Sequence, residues 1–199
     1  MLFFLGLIWG SSFLFIKLSV LSIPPVSSVL LRMSVASFCL FVFFLITKNV
    51  LPLDQKNIKD YLIIALLGNV IPFILVSWAE TEINTNLTGI IMGLMPITTV
   101  LLAYFFVKEE KITIFTFIGV LLGFSGLFFL LDIKKNLNEN LLSEYSVILA
   151  TIAFASATVY ARRIKFFQPL NILTGSTFFS TIILIPLVFF FEYPFLANP

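Results

Sequence analysis

Residues 61–79 read YLIIALLGNVIPFILVSWA, a run without a single charged side chain. Lys56, Lys59 and Asp60 precede it, and Glu80 and Glu82 follow it. At 1.5 Å of helical rise per residue the run measures roughly 28 Å, close to the ~30 Å hydrocarbon core of a bilayer. Charge at both ends of an apolar helix of that length predicts a membrane span. Working outward, six more segments fit the same description, at about residues 2–21, 28–47, 86–107, 112–131, 145–161 and 170–191. The expected fold is therefore an all-α integral membrane protein, a polytopic bundle of about seven transmembrane helices. Short connections make consecutive helices antiparallel neighbours.

Composition points the same way. Of 199 residues, 60% are hydrophobic and 11% charged, against roughly a quarter charged in soluble domains. The formal net charge of +2 is too small to predict a nucleic-acid partner; the expected partners are the lipid bilayer and a small-molecule substrate, and a homodimer is admitted. Cys39 is the single cysteine, so no intramolecular disulfide can form. The chain has no histidine, which removes the commonest general base and the commonest metal ligand together. Neither zinc-ligand spacing nor a G-x-S-x-G elbow occurs. An enzyme is therefore not expected, and neither is a metal or cofactor. The opening run MLFFLGLIWG lacks the basic flank and cleavage site of a signal peptide and reads as the first span.

With the N-terminus inside, the inner connections hold Lys48, Lys56, Lys59, Lys108, Lys111, Arg162, Arg163 and Lys165, and the outer loops hold Lys134 and Lys135. This asymmetry predicts a cytoplasmic N-terminus by the positive-inside rule, the reverse of a seven-helix receptor. The chain also repeats itself. WGSSFLFIK, ending at Lys17, is followed by Pro24; FASATVYAR, ending at Arg162, is followed by Pro169. Ser11 matches Ser156, and Phe15 matches Tyr160, an offset of 156 − 11 = 145. An odd number of helices between the copies inverts one against the other, and inverted repeats with a midplane site between them mark secondary transporters.

Candidate site residues follow from what is costly in a membrane. Lys17 and Arg32 lie within spans, where a charge is expensive. They read either as a cationic pair drawing an anionic group into the bundle or as side chains snorkelling to the headgroups. Glu80 and Glu82 read as a solvated loop end, or as a gate in which one of them pairs with Arg32. Pro72 and Pro96 each remove a backbone donor, so Asn69, one turn before Pro72, is expected to re-satisfy the freed carbonyl or to meet substrate. Thr98 and Thr99 beside Pro96, Ser12, and the mid-span Trp9 complete the candidate wall. Trp78 reads as an interfacial anchor. Gly89-x-x-x-Gly93 and Gly119-x-x-x-Gly123 read as close-packing motifs.

WGSSFLFIK, the Pro24-Pro25 turn, LLRMSVAS, and the stretch TNLTGIIMGLMPITTVLLAYFFVKEEKIT running into FIGVLLGFSGLFFLL together resemble EamA-type transporters of the drug/metabolite transporter superfamily. The resemblance rests on Pro96, Glu110, Thr113, Gly119 and Gly126 in that order. It implies ten helices in two inverted five-helix repeats, the first over residues 1–132 and the second beginning over 143–199. The fifth helix would pack outside the wall, and Glu110 would be a gating or structural residue capping it. The implied function is secondary transport of a small organic metabolite by alternating access. The implied location is the bacterial inner membrane, multi-pass, and the abundance of Asn, Ile, Phe and Lys fits an AT-rich bacterial genome. Seven spans of ten imply either a piece of a longer transporter or a truncated product, for which the alternative is a non-transporting scaffold or an inactive remnant.

Overall fold

The computed structural model describes residues 2–47, 50–107, 113–130, 140–164 and 168–192. Among the described residues the regular structure is helical throughout. The rods are α1, Leu2–Val20; α2, Pro25–Thr47; α3, Gln55–Glu82; α4, Thr85–Phe106; α5, Ile114–Leu130; α6, Leu141–Arg163; and α7, Pro169–Phe191. Five of them, α2, α3, α4, α6 and α7, are long and apolar enough to cross a membrane. The apolar part of α1, Gly6–Val20, is shorter, and α5 has 17 residues. The chain is thus an all-α, multi-pass membrane protein. Its outward faces carry side chains such as Phe38, Phe105, Phe115 and Phe190, an exposed apolar surface of the kind that faces a bilayer or packs on further helices.

Local chemistry explains the helix ends. α2 and α7 both begin on a proline, Pro25 and Pro169, whose fixed φ suits the first turn and whose missing N–H would be an orphan there anyway. α2 consequently starts three residues earlier than hydropathy alone predicts. Asn140 caps α6 by accepting from Leu142 N at 3.1 Å. Glu144 in the first turn and Arg162 and Arg163 in the last complement the helix dipole.

α3 is not a plain helix. Residues Ala65–Val70 form a π-helical stretch, and Ile71 N donates to Leu66 O, five residues back. Widening this turn absorbs the donor that Pro72 lacks. The expected repair by Asn69 does not occur; its amide points away to Ser180 (Nδ2 to Oγ, 3.1 Å). α4 breaks at Gly93 and Leu94, between Thr85–Met92 and Met95–Phe106. The break falls before Pro96 because a proline fits the first turn of the resumed helix.

Contacts between helix ends fix the up-and-down order. At one end, here the far end, Lys17 near the close of α1 reaches the close of α3. Glu192, just after α7, reaches the start of α2 there: its carboxylate accepts from Val26 N at 2.6 Å, Ser27 N at 2.7 Å and Ser27 Oγ at 2.6 Å. At the near end, Tyr160 of α6 donates to Asp60 of α3 at 2.5 Å, and Arg163 donates through Nε to Phe106 O at the close of α4, 3.1 Å away.

α3 runs through the middle. It packs against α1, α2, α4, α6 and α7. α6 lies against it, with Ala150 in one buried cluster with Val76 and Phe154 against Phe73. Gly68 lets the two helices close up, since a Cβ there would sit 3.2 Å from Ala157 Cβ. The expected motifs at Gly89, Gly119 and Gly123 behave differently: a Cβ at each would meet nothing within 4 Å. They are not close-packing contacts among the described residues. α5 packs on the end of α4, outside the central group. Glu110, with the basic positions 48, 108, 111, 134, 135 and 165, lies outside the described residues.

Candidate substrate cavity

A cavity of about 400 Å³ opens between α1, α2, α3, α4, α6 and α7. Its frame is a chain of contacts across four helices. Arg32 of α2 donates from Nη2 to Ser12 Oγ of α1 at 3.0 Å. The same guanidinium lies over the ring of Phe73 on α3, 4.2 Å from its centroid. Phe73 in turn meets Phe154 of α6 edge to face, centroids 5.2 Å apart. A guanidinium has five donors, and this arrangement holds it in place while using one of them among the described residues.

Of the residues the sequence singled out, Trp9, Ser12, Arg32 and Asn69 line this cavity. The others stand elsewhere. Lys17 donates to two backbone carbonyls, Glu80 O at 2.5 Å and Ile83 O at 3.1 Å, so the two cations do not form a pair in the cavity. Thr98 and Thr99 bond back along their own helix to Leu94 O (3.0 Å) and Met95 O (2.7 Å) and leave the α4 wall to Met92 and Met95. Pro72 is buried and Pro96 exposed. Glu80 is neither solvated nor bonded to Arg32: it is fully buried, and its neighbour Glu82 is the exposed one. Trp78 is half-buried and lines a second, far-end groove of about 660 Å³ between Pro24, Pro25 and Glu192. The carboxylate in that groove's described lining, Glu192, is already engaged with α2.

Sequence reading missed Phe73, Phe154, Met92, Met95, Thr158 and Ser176 in the wall. One signal for part of this set was present. α1 contributes Trp9, Ser12, Phe13 and Ile16, and α6 contributes Phe154, Ala157, Thr158 and Ala161. Each α6 residue stands 145 positions after its α1 counterpart, as in 154 − 9 and 161 − 16. The repeat offset thus carries one lining face onto the other. For Phe73 no signal existed, because it is one of 25 phenylalanines.

The fold and cavity define a polytopic α-helical membrane protein with a ligand-sized chamber between its helices. Residues 1–132 match the EamA-like transporter family, and the chain belongs to that family. It is 25% identical over 159 residues to the uncharacterized transporter YoaV of Bacillus subtilis, covering 78% of this chain and 54% of that protein. It is 30% identical over 140 residues to an uncharacterized transporter of Buchnera aphidicola subsp. Schizaphis graminum, covering 68% and 46%. The uncharacterized inner membrane transporter YedA of Escherichia coli K12 is 26% identical over 177 residues, covering 88% and 56%. The chain spans about half the length of these curated relatives. No solved structure matches it.

Proposed function

We propose that this chain forms part of a secondary transporter that moves a small organic metabolite by alternating access, with the cavity between α1 and α6 as the substrate site. The observation that carries this reading is the shared register of the two lining faces. Matching faces offset by 145 positions are what two inverted repeats around a midplane site require. Residues 1–132 then form the first repeat and 143–199 begin the second. The protein lies in a bacterial inner membrane with its N-terminus in the cytoplasm, in keeping with the charge asymmetry of the loops.

The chemistry of the walls narrows the substrate. Aromatic and methionine side chains suit an apolar body, and methionine adapts to varied shapes. Arg32 with Ser12 supplies one anchored cation, which suits a carboxylate or other anionic group. Cells expressing the chain should differ from empty cells in their content of at least one labelled metabolite. Arg32→Gln should weaken that effect by roughly one to two orders of magnitude, the loss of a charge-assisted hydrogen bond of about 1.5–3 kcal/mol. Equal content in all three across a broad metabolite panel counts against transport and favours a membrane scaffold.

A further inference from the structure

Glu80 is the anomaly of this molecule. Its side chain is 0% exposed, and neither Oε1 nor Oε2 has a hydrogen-bond partner among the described residues. An ionised carboxylate cannot be left so: removed from water without partners, it takes up a proton or draws in a cation. The neighbouring cation is Lys17, and its ammonium is spent on the carbonyls of Glu80 and Ile83. Glu80 O lies in the last turn of α3, where the helix leaves its acceptors open, and Ile83 O lies just beyond it. Burial without partners favours the neutral form of such a carboxyl, and Lys17 bridges the close of α3 to the turn that follows, as a clamp.

Among the described residues the groups around it leave no second candidate. On α1 the charged group is Lys17. On α2 Arg32 is held by Ser12 and Phe73. On α6 the first turn carries Glu144 and the exposed Tyr145. After α7, Glu192 is bonded to the start of α2. The turn into α4, from Ile83 to Leu87, offers no titratable side chain. On α3 itself Glu82 faces solvent.

Position ties this acid to the cavity. Val76 stands one helical turn before Glu80, and Ile16 stands next to Lys17. Both line the cavity's far-end wall and pack together with Ala150 of α6. The clamp and the wall therefore share neighbouring residues of α1 and α3.

We propose that Glu80 is a proton-binding site and that its occupancy sets the position of Lys17. With the proton bound, Glu80 is a neutral carboxylic acid and Lys17 holds the α3–α4 turn. When the proton leaves to water, the carboxylate captures the Lys17 ammonium, the two carbonyls are released, and the turn loosens beside the cavity. The step balances as one proton exchanged with solvent and one ammonium moved from carbonyl to carboxylate. It needs no particular substrate, so it stands or falls separately from the metabolite.

Infrared difference spectroscopy on the purified 199-residue chain in lipid nanodiscs tests it. Wild type should show the C=O band of a protonated carboxyl that disappears reversibly as the pH is raised. Glu80→Gln should lack that band, and Glu80→Asp should shift it, which keeps the assignment open if the glutamine variant fails to fold. Amide exchange at residues 82–86, corrected for intrinsic chemistry, should quicken as the band disappears, and should be pH-independent in Glu80→Gln. No titrating band in wild type, or one unchanged by both substitutions, overturns the proton site. A titrating band with unchanged exchange overturns the Lys17 clamp.

Discussion

Gly175 shows how a single atom decides packing here. A Cβ at this position would lie 2.6 Å from the ring of Tyr61, a side chain with 0% exposure. The ring has nowhere to move, so Gly175→Ala should destabilise by about 1–3 kcal/mol through overpacking. Gly119→Ala, where a Cβ meets nothing within 4 Å, should have the opposite sign, stabilising by about 0.5–1 kcal/mol through helix propensity. Thermal unfolding of both variants in detergent checks the contrast, and equal effects would restore the packing role for the Gly119 motif. Sequence could not make this distinction. A G-x-x-x-G spacing states that backbones can approach, not that they do, and Gly175 belongs to no such motif. Lys17 and Arg32 were visible as costly charges. Of their four partners, Ser12 was singled out in the sequence, but two are backbone carbonyls and one is a phenylalanine face, which no residue pattern announces.

Helix ends carry the element-scale logic. Glu192 occupies the start of α2, where unpaired N–H groups and the dipole favour an anion. Its three hydrogen bonds join the end of α7 to α2, which also meet in a shared core of Val26, Val29, Met33, Leu184 and Val188. Glu192→Ala should cost about 1–3 kcal/mol, because it strips partners from buried donors, and should speed amide exchange at residues 26–29 while leaving α6 unaffected. Unchanged exchange in that turn would show that the carboxylate is not its cap. At this scale hydropathy read the approximate course of each helix, because lipid imposes length and apolarity on any span. The prolines themselves marked an interruption of α3 at Gly68–Pro72 and a bend of α4 at Pro96, but not their form, a π-helical turn and a break at Gly93 and Leu94, because several local repairs satisfy a proline equally well and tertiary packing chooses among them. Asn69 is the clearest case: its position suggested the repair, and Ser180 of α7 claimed its amide instead.

At the scale of the whole molecule the question is whether α1 and α6 act as two copies of one wall. Family membership follows from the first 132 residues, while the cavity depends on α6 and α7 beyond them. The sequence shows a handful of matches at one offset, and the same offset pairs cavity-lining residues of α1 and α6, although the matched residues themselves, such as Ser11 and Ser156, do not line the cavity. Thr98 and Thr99 were misplaced because a polar residue beside a proline in a span has two outlets, the cavity or its own helix carbonyls, and both chose the second. This gives a test that separates a lining position from a merely polar one. In a background where exposed Cys39 is replaced by serine, Ser12→Cys and Ala157→Cys occupy equivalent places on the two copies. Both should react with a small water-soluble thiol reagent, and both should be protected by the same bound metabolite. Thr98→Cys, whose native hydroxyl is turned to Leu94 O, should react far more slowly and gain no protection. If positions 12 and 157 respond to different ligands, or if position 98 reacts as they do, the two faces do not enclose one site. Alternating access around that site would then be lost as a mechanism, whatever the protein carries.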